Sequence, residues 1–325
     1  MTTDETLVRD RRGYWKPESA IAYPPVFIWP PKPASALRWM VALPGYLFPW
    51  NALFLALAVI FWTWLTPDLA TLTTLEPGWI GALLARNAVL LGLFYGGWHL
   101  WLYVLRRQGD RYKYSAKWPD AKNPAFLLGT QTRENVLLTF ASALPIWTAW
   151  EVLTLWLMAN GWVPVLDFQT NPIWFIVLLL IIPIWRDLHF YAIHRLIHFP
   201  PLYRAIHKLH HKNINPGPWS GLSMHPGEHL LYFSCVAIHF VVPSHPVHAL
   251  FNLLHAALAP AQGHSGFDRV EIGSAEEDPT GMDTHAYAHY LHHRYFNCNY
   301  ADGVLPLDKW FGSFNDGGQA GGKVQ

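Results

Sequence analysis

Four stretches of the chain are apolar almost without interruption, and polar loops separate them. They run from about Leu43 to Leu65, Leu83 to Leu105, Val136 to Met158 and Pro172 to Trp185. Crossing a bilayer takes about 20 residues of helix, so the pattern predicts four membrane-spanning helices. The last is short unless it continues into the RDLHFY that follows. Arg86 and Glu151 fall within spans and are expected to face other helices, because a charge against lipid is costly. Two further apolar stretches, Leu230 to Val242 and Pro246 to Pro260, are broken by histidine or proline and are short for a crossing. They are expected as core or re-entrant helices resting on the membrane face. If both crossed, the even number would leave the chain's end on the same side.

Basic residues then orient the spans. The segment before the first span holds six Lys or Arg and residues 106–133 hold seven, whereas residues 66–80 and 159–171 hold none. The positive-inside rule places the basic loops in the cytoplasm, so the N-terminus and everything after Trp185 are expected there. The expected fold is an all-α integral membrane protein of about four transmembrane helices, with a helical, histidine-rich metal domain at the cytosolic face. The expected divisions are a polar and proline-rich tail (1–42), the spans (43–185), the histidine-rich domain (186–314) and a glycine-rich tail (315–325). The first segment lacks the early apolar run of a signal peptide.

Composition agrees with a membrane protein. The chain has 325 residues, 52% hydrophobic and only 14% charged, where soluble domains carry about 25% charged residues. Eighteen tryptophans fit a protein with two membrane interfaces. A net charge of +1 gives no electrostatic case for nucleic acid. Cys235 and Cys298 form no metal or disulfide pattern.

Histidine carries the chemistry. Of 18 histidines, 17 lie between His189 and His293. The spacing H-x-x-H-H occurs twice, at His207, His210 and His211 and at His289, His292 and His293, and HRLIH places His194 and His198 ahead of both. Residues three and four apart share a helix face, so each group presents its imidazoles together. Neutral imidazole binds iron, zinc, copper and nickel. Eight histidines are too many for one ion, and two ions are the economical interpretation.

The order HRLIH, LYRAIHKLHHKN, MHPGE, HSGF, HYLHHRYFNCNY and LDKWFGS resembles the fatty acid hydroxylase and sterol desaturase superfamily, over about Arg186 to Phe314. The resemblance implies a histidine-ligated pair of iron ions on the cytoplasmic face of a membrane enzyme. Such an enzyme would use dioxygen and electrons to hydroxylate or desaturate a sterol-like or fatty acyl lipid. It implies as metal ligands His194, His198, His207, His210, His211, His289, His292 and His293, with His264 of HSGF. His225 of MHPGE is implied as a ligand or a residue hydrogen-bonded to one, and Glu228 could orient such a histidine. Ala301 departs from the glycine usual after Asn299 and Tyr300, which puts the local turn in question. No nucleotide-binding or iron–sulfur motif is present in the sequence, so a separate reductase or redox carrier is expected to supply electrons. The alternative is a non-catalytic membrane protein that binds metal or haem.

Overall fold

Four long helices run through the computed structural model, which describes residues 9–17, 21, 23–119, 122–271 and 281–318. A short helix α1 (Pro33–Val41) precedes them. They are α2 (Leu47–Trp64), α3 (Pro77–Val104), α4 (Gln131–Ala159) and α5 (Pro172–Ile197), each long and apolar enough to cross a membrane. The fourth span does continue through RDLHFY. Its 26 residues reach about 39 Å at 1.5 Å per residue, against a hydrocarbon core of about 30 Å. The helix is therefore longer than the apolar layer is thick, and its last turns carry the first histidines.

The next two apolar stretches are core elements, one of the two forms expected for them. Residues 226–263 form a hairpin threaded through the bundle rather than laid against its outside. Helix α6 (Pro226–Phe233) and a 3-10 segment, Ser234–Phe240, run away from the histidine-rich end. The turn after them pairs Ser244 with Val165, in the loop joining α4 to α5. Helix α7 (Pro246–Gly263) then returns, with 16 of its 18 residues buried, and packs against α2, α3, α4 and α5. The polar residues that make these stretches look unfit for a membrane interior find partners inside it. His248 Nε2 lies 2.9 Å from the Phe175 carbonyl, His239 Nδ1 lies 2.7 Å from Ser244 Oγ, and Asn252 donates to the Cys235 carbonyl at 3.1 Å. A buried polar group with a hydrogen bond costs far less than one without.

Segments expected on one side of the membrane meet physically. Tyr14 bridges to Ser115 in the loop between α3 and α4, and Lys113 of that loop bridges to Phe267. Trp15, Tyr114, Tyr287 and Tyr290 pack as one aromatic cluster. Two short antiparallel strands, β1 (Arg269–Glu271) and β2 (Gly281–Asp283), pair with Val270 opposite Met282. Helix α8 (Tyr287–Tyr295) and the four-residue α9 (Leu307–Trp310) complete this end.

The two intramembrane charges pair with each other. Arg86 of α3 meets Glu151 of α4, and Asn87 adds bonds to Glu151 Oε2 (2.9 Å) and Thr148 Oγ1 (3.2 Å). Removing one partner of a buried pair strands the other charge, at about 3–5 kcal/mol. Arg86→Met is therefore expected to lower stability by that amount, and the double change with Glu151→Leu to recover most of it. Unfolding in a detergent titration followed by circular dichroism checks both; equal losses in the single and double variants would contradict the pairing.

Candidate metal centre

The histidines arrive from five separate elements. His194 is buried on the last turns of α5 and His198 caps its C-terminus. His207 ends a π-helical turn, Tyr203–His207, and His210 and His211 open a 3-10 turn, His210–Lys212. That turn is tied to the start of α4, where Glu134 pairs with Lys212 Nζ at 2.5 Å and Asn135 donates to Asn213 at 2.9 Å. His264 caps the C-terminus of α7, and α8 carries His289, His292 and His293.

Nine of the ten expected ligands converge, in two groups. His194, His198, His207, His211 and His292 form one, and His210, His264, His289 and His293 the other; within each, one nitrogen per ring lies within 4.8 Å of all the rest. The groups adjoin, with the His211 and His293 rings 5.0 Å apart. Each H-x-x-H-H triplet is divided between them. His207 and His211 serve the first group while His210 serves the second, and His289 and His293 serve the second while His292 serves the first. One triplet thus gives its i,i+4 pair to one group and its middle histidine to the other, and the second triplet does the reverse.

His225 is not brought to either group. It caps the N-terminus of α6, where its Nδ1 accepts from the Gly227 N–H at 3.0 Å. The cap uses the imidazole lone pair on the backbone, and the ring is left partly exposed. Glu228 orients a histidine, but a different one: its Oε1 is 2.7 Å from His207 Nδ1.

Backbone carbonyls set the tautomers. A carbonyl only accepts, so an imidazole nitrogen beside one must carry the proton. The Nδ1–H groups of His194, His292, His264 and His210 donate to the carbonyls of Tyr300 (2.7 Å), Cys298 (2.6 Å), Pro260 (3.0 Å) and Ser223 (3.3 Å). Their Nε2 atoms are left as lone pairs facing inward. Nε2 atoms of neighbouring rings stand 3.0 to 3.2 Å apart in the first group and 3.0 to 3.3 Å apart in the second. His210 and His264, both fixed by carbonyls, thus face each other with lone pairs at 3.3 Å, which repel, and the buried His194 Nε2 has no hydrogen-bond partner at all. Cations seated among them would satisfy all of these atoms. The donor set fits two metal ions, one per group.

Those carbonyls were not foreseen, since backbone acceptors leave no mark on side-chain spacing. Two of them, those of Cys298 and Tyr300, sit on a loop the chain holds tightly. After α8, Phe296 and Asn299 take positive φ (68° and 51°), turning the chain back over the site. The Asp308 carboxylate accepts from the Tyr300 and Ala301 N–H groups, each at 2.8 Å, and from Ser313 Oγ at 2.6 Å. Ala301 is not among the residues with positive φ, so alanine is accommodated there. Asp187 accepts from the Val304 N–H at 2.6 Å. A side chain at Gly303 would collide with that carboxylate.

The remaining histidines serve the scaffold. His189 bonds Ser234, His229 bonds Ser142 and Leu222, and His285 is exposed beside Asp283.

Residues 177–313 match the family model for fatty acid hydroxylase. Over 143 residues, 43% of this chain, the sequence is 32% identical to Delta(7)-sterol 5(6)-desaturase ERG3B of Gibberella zeae, covering 42% of that protein. It is 31% identical over 159 residues to Delta(7)-sterol 5(6)-desaturase erg3C of Aspergillus fumigatus, covering 43% of this chain and 49% of the relative. For Delta(7)-sterol 5(6)-desaturase ERG3 of Saccharomyces cerevisiae the identity is 30% over 131 residues, or 40% and 34%. The chain spans less than half the length of these relatives. No solved structure matches.

Two expectations follow from the site. The Glu228→Ala variant should bind metal about 10- to 100-fold more weakly, the usual effect of losing a partner behind a ligand, while Glu228→Gln, which keeps an acceptor for His207 Nδ1, should lose much less. Competition with a chelator measures both. The second concerns pH. Burial above all, then repulsion from neighbouring imidazoles, holds His207, His211, His289, His292 and His293 well below the ordinary histidine value. The folded cage stays neutral while the unfolded chain protonates below about pH 6.5. The stabilisation is complete above that value and is lost as pH falls toward the depressed values. The unfolding midpoint of chelator-treated protein should therefore drop steadily below about pH 6.5; a flat profile would contradict a neutral cage.

Proposed function

We propose, on the premise that residues 177–313 are a fatty acid hydroxylase domain, that this protein is an oxygen-dependent membrane oxidoreductase that hydroxylates or desaturates a sterol-like or fatty acyl lipid. One observation carries the reading: two adjacent all-histidine groups stand at the end of an apolar helix bundle, where a substrate dissolved in the bilayer can reach them. Two iron ions, one in each group, would supply the dioxygen reduction and C–H cleavage that acid–base side chains cannot.

The chain's own residues do the rest. His194, His198, His207, His211 and His292 would hold one ion, and His210, His264, His289 and His293 the other. The carbonyls of Tyr300, Cys298, Pro260 and Ser223 keep the Nε2 lone pairs directed inward. Phe190, Ile193, Ile197 and Met224 wall a cavity of ≈ 20 Å³ against the histidines. That volume holds little more than a water molecule, so binding a lipid requires the walls to part. Hydroxylation takes one dioxygen, two electrons and two protons to add one oxygen and release one water. The electrons would come from a separate donor protein docking on the histidine-bearing end, where Arg204 and Lys208 are exposed. The absence of basic residues from residues 66–80 and 159–171 supports a cytoplasmic position for that end.

Metal content of the detergent-purified protein tests the reading, with His210→Ala and His292→Ala in parallel. Close to two irons per chain are expected, with loss in both variants and an oxidised lipid product that depends on oxygen and a reductant. Freshly prepared, folded protein holding no iron would sink the proposal, and iron-replete protein that oxidises no lipid would leave only a metal-binding role.

A further inference from the structure

Arg186 is a full charge with nothing obvious to do. It stands on α5, 2% exposed, and lines the same small cavity as His194 and His264. Its Nη1 donates to the Asp302 carbonyl at 2.8 Å and its Nη2 to Tyr232 Oη at 3.3 Å, and the guanidinium lies over the Phe190 ring. Asp187 and Asp302 balance its charge from 3.5 and 3.7 Å. These contacts explain the two Nη groups as a clamp on residues 302–304. They do not explain Nε, which is buried without any partner. An orphaned donor of this kind is costly, the more so on a charged group. Arg186 lines that cavity together with Phe190, Ile193, Ile197 and Met224, so a buried cation with an unpartnered donor and apolar side chains border one space beside the histidines.

We propose that Arg186, braced by Tyr232, anchors an oxygen atom of the lipid substrate: a hydroxyl, carboxylate or ester carbonyl accepting from Nε–H. The inference rests on the lipid-oxidation reading above and deepens it. Tyr232 is fixed for this role, since its own hydroxyl donates to the Ala256 carbonyl at 2.7 Å and so accepts from Arg186. Arg186 and His194 are eight residues apart on one helix, a rise of about 12 Å. The oxidised carbon therefore lies within about 12 Å of the anchored oxygen, and a featureless hydrocarbon stretch is not the substrate. Residue 186 is a specificity-determining position that binds no metal.

The experiment uses the full chain in lipid nanodiscs with paired probes: octadecanoic acid against octadecane, and a Δ7 3-hydroxysterol against its 3-deoxy counterpart. Equilibrium binding without reductant and kcat/KM with reductant and oxygen are both measured. One hydrogen bond to a charged group amounts to about a ten- to hundredfold preference. The wild type should show that preference for the oxygenated member of at least one pair, in binding and in kcat/KM. Tyr232→Phe, which leaves the Arg186 hydrogen bond to residue 302 in place, should reduce it toward unity with metal content unchanged, an outcome a purely structural clamp would not produce; Arg186→Lys should reduce it likewise when compared at equal metal loading. Equal treatment of both members by the wild type, which needs no variant to fold, overturns the proposal. So does a preference that survives in the metal-replete Tyr232→Phe and Arg186→Lys proteins. If metal-replete wild type oxidises neither pair, the functional reading fails, and the binding arm alone then decides the anchor.

Discussion

Nine imidazoles converge in two groups, and eight of them hold Nε2 atoms 3.0 to 3.3 Å from a neighbouring ring's Nε2, which is not how an ordinary buried core packs. Each ring whose Nδ1–H is given to a carbonyl must present a lone pair inward, and lone pairs repel. A cation is the simplest group that turns this repulsion into binding, and much of the surrounding structure serves to hold the rings in that arrangement. Burial contributes by keeping the rings unprotonated, so the cage does not relieve its strain by taking up protons.

Holding the rings requires segments remote in sequence to meet at one level, four of which carry eight of the nine histidines, with His207 on the turn just before residues 210–212. The end of α5, the turn at 210–212, the end of α7 and the middle of α8 are remote in sequence, and each is secured differently. Helix α5, longer than the apolar layer is thick, carries His194 and His198 at its end. The start of α4 fixes the turn through Glu134 and Asn135. Helix α7 is placed by its burial among four spans, which sets the height of His264. The loop after α8 is gripped by Asp308 on one side and by Arg186 and Asp187 on the other, and it supplies two of the carbonyls that fix the tautomers.

The threaded hairpin shows how a polar sequence can occupy a membrane interior. Residues such as His239, His248 and Asn252 would be costly against lipid, but here they face other protein segments and are hydrogen-bonded there. The lipid-facing surface is left to the four spans. The histidines that make α7 look unlike a crossing are among those that tie it in place.

Reading the chain alone was enough for its apolar periodicity, the charge asymmetry of its loops and the recurrence of histidine at helical spacing. Each is a local property: a span needs only consecutive apolar residues, and i, i+4 neighbours share a face wherever the helix goes. Glu228 was also legible as a residue able to orient a histidine. Only the tertiary structure decided how the triplets divide between two groups, that His225 caps a helix while Glu228 orients His207, and that residues 226–263 pass through the bundle. These depend on which distant segments meet. Where a lone pair goes is settled by a carbonyl such as that of Cys298 or Tyr300, and every residue has one, so no spacing of side chains can announce it.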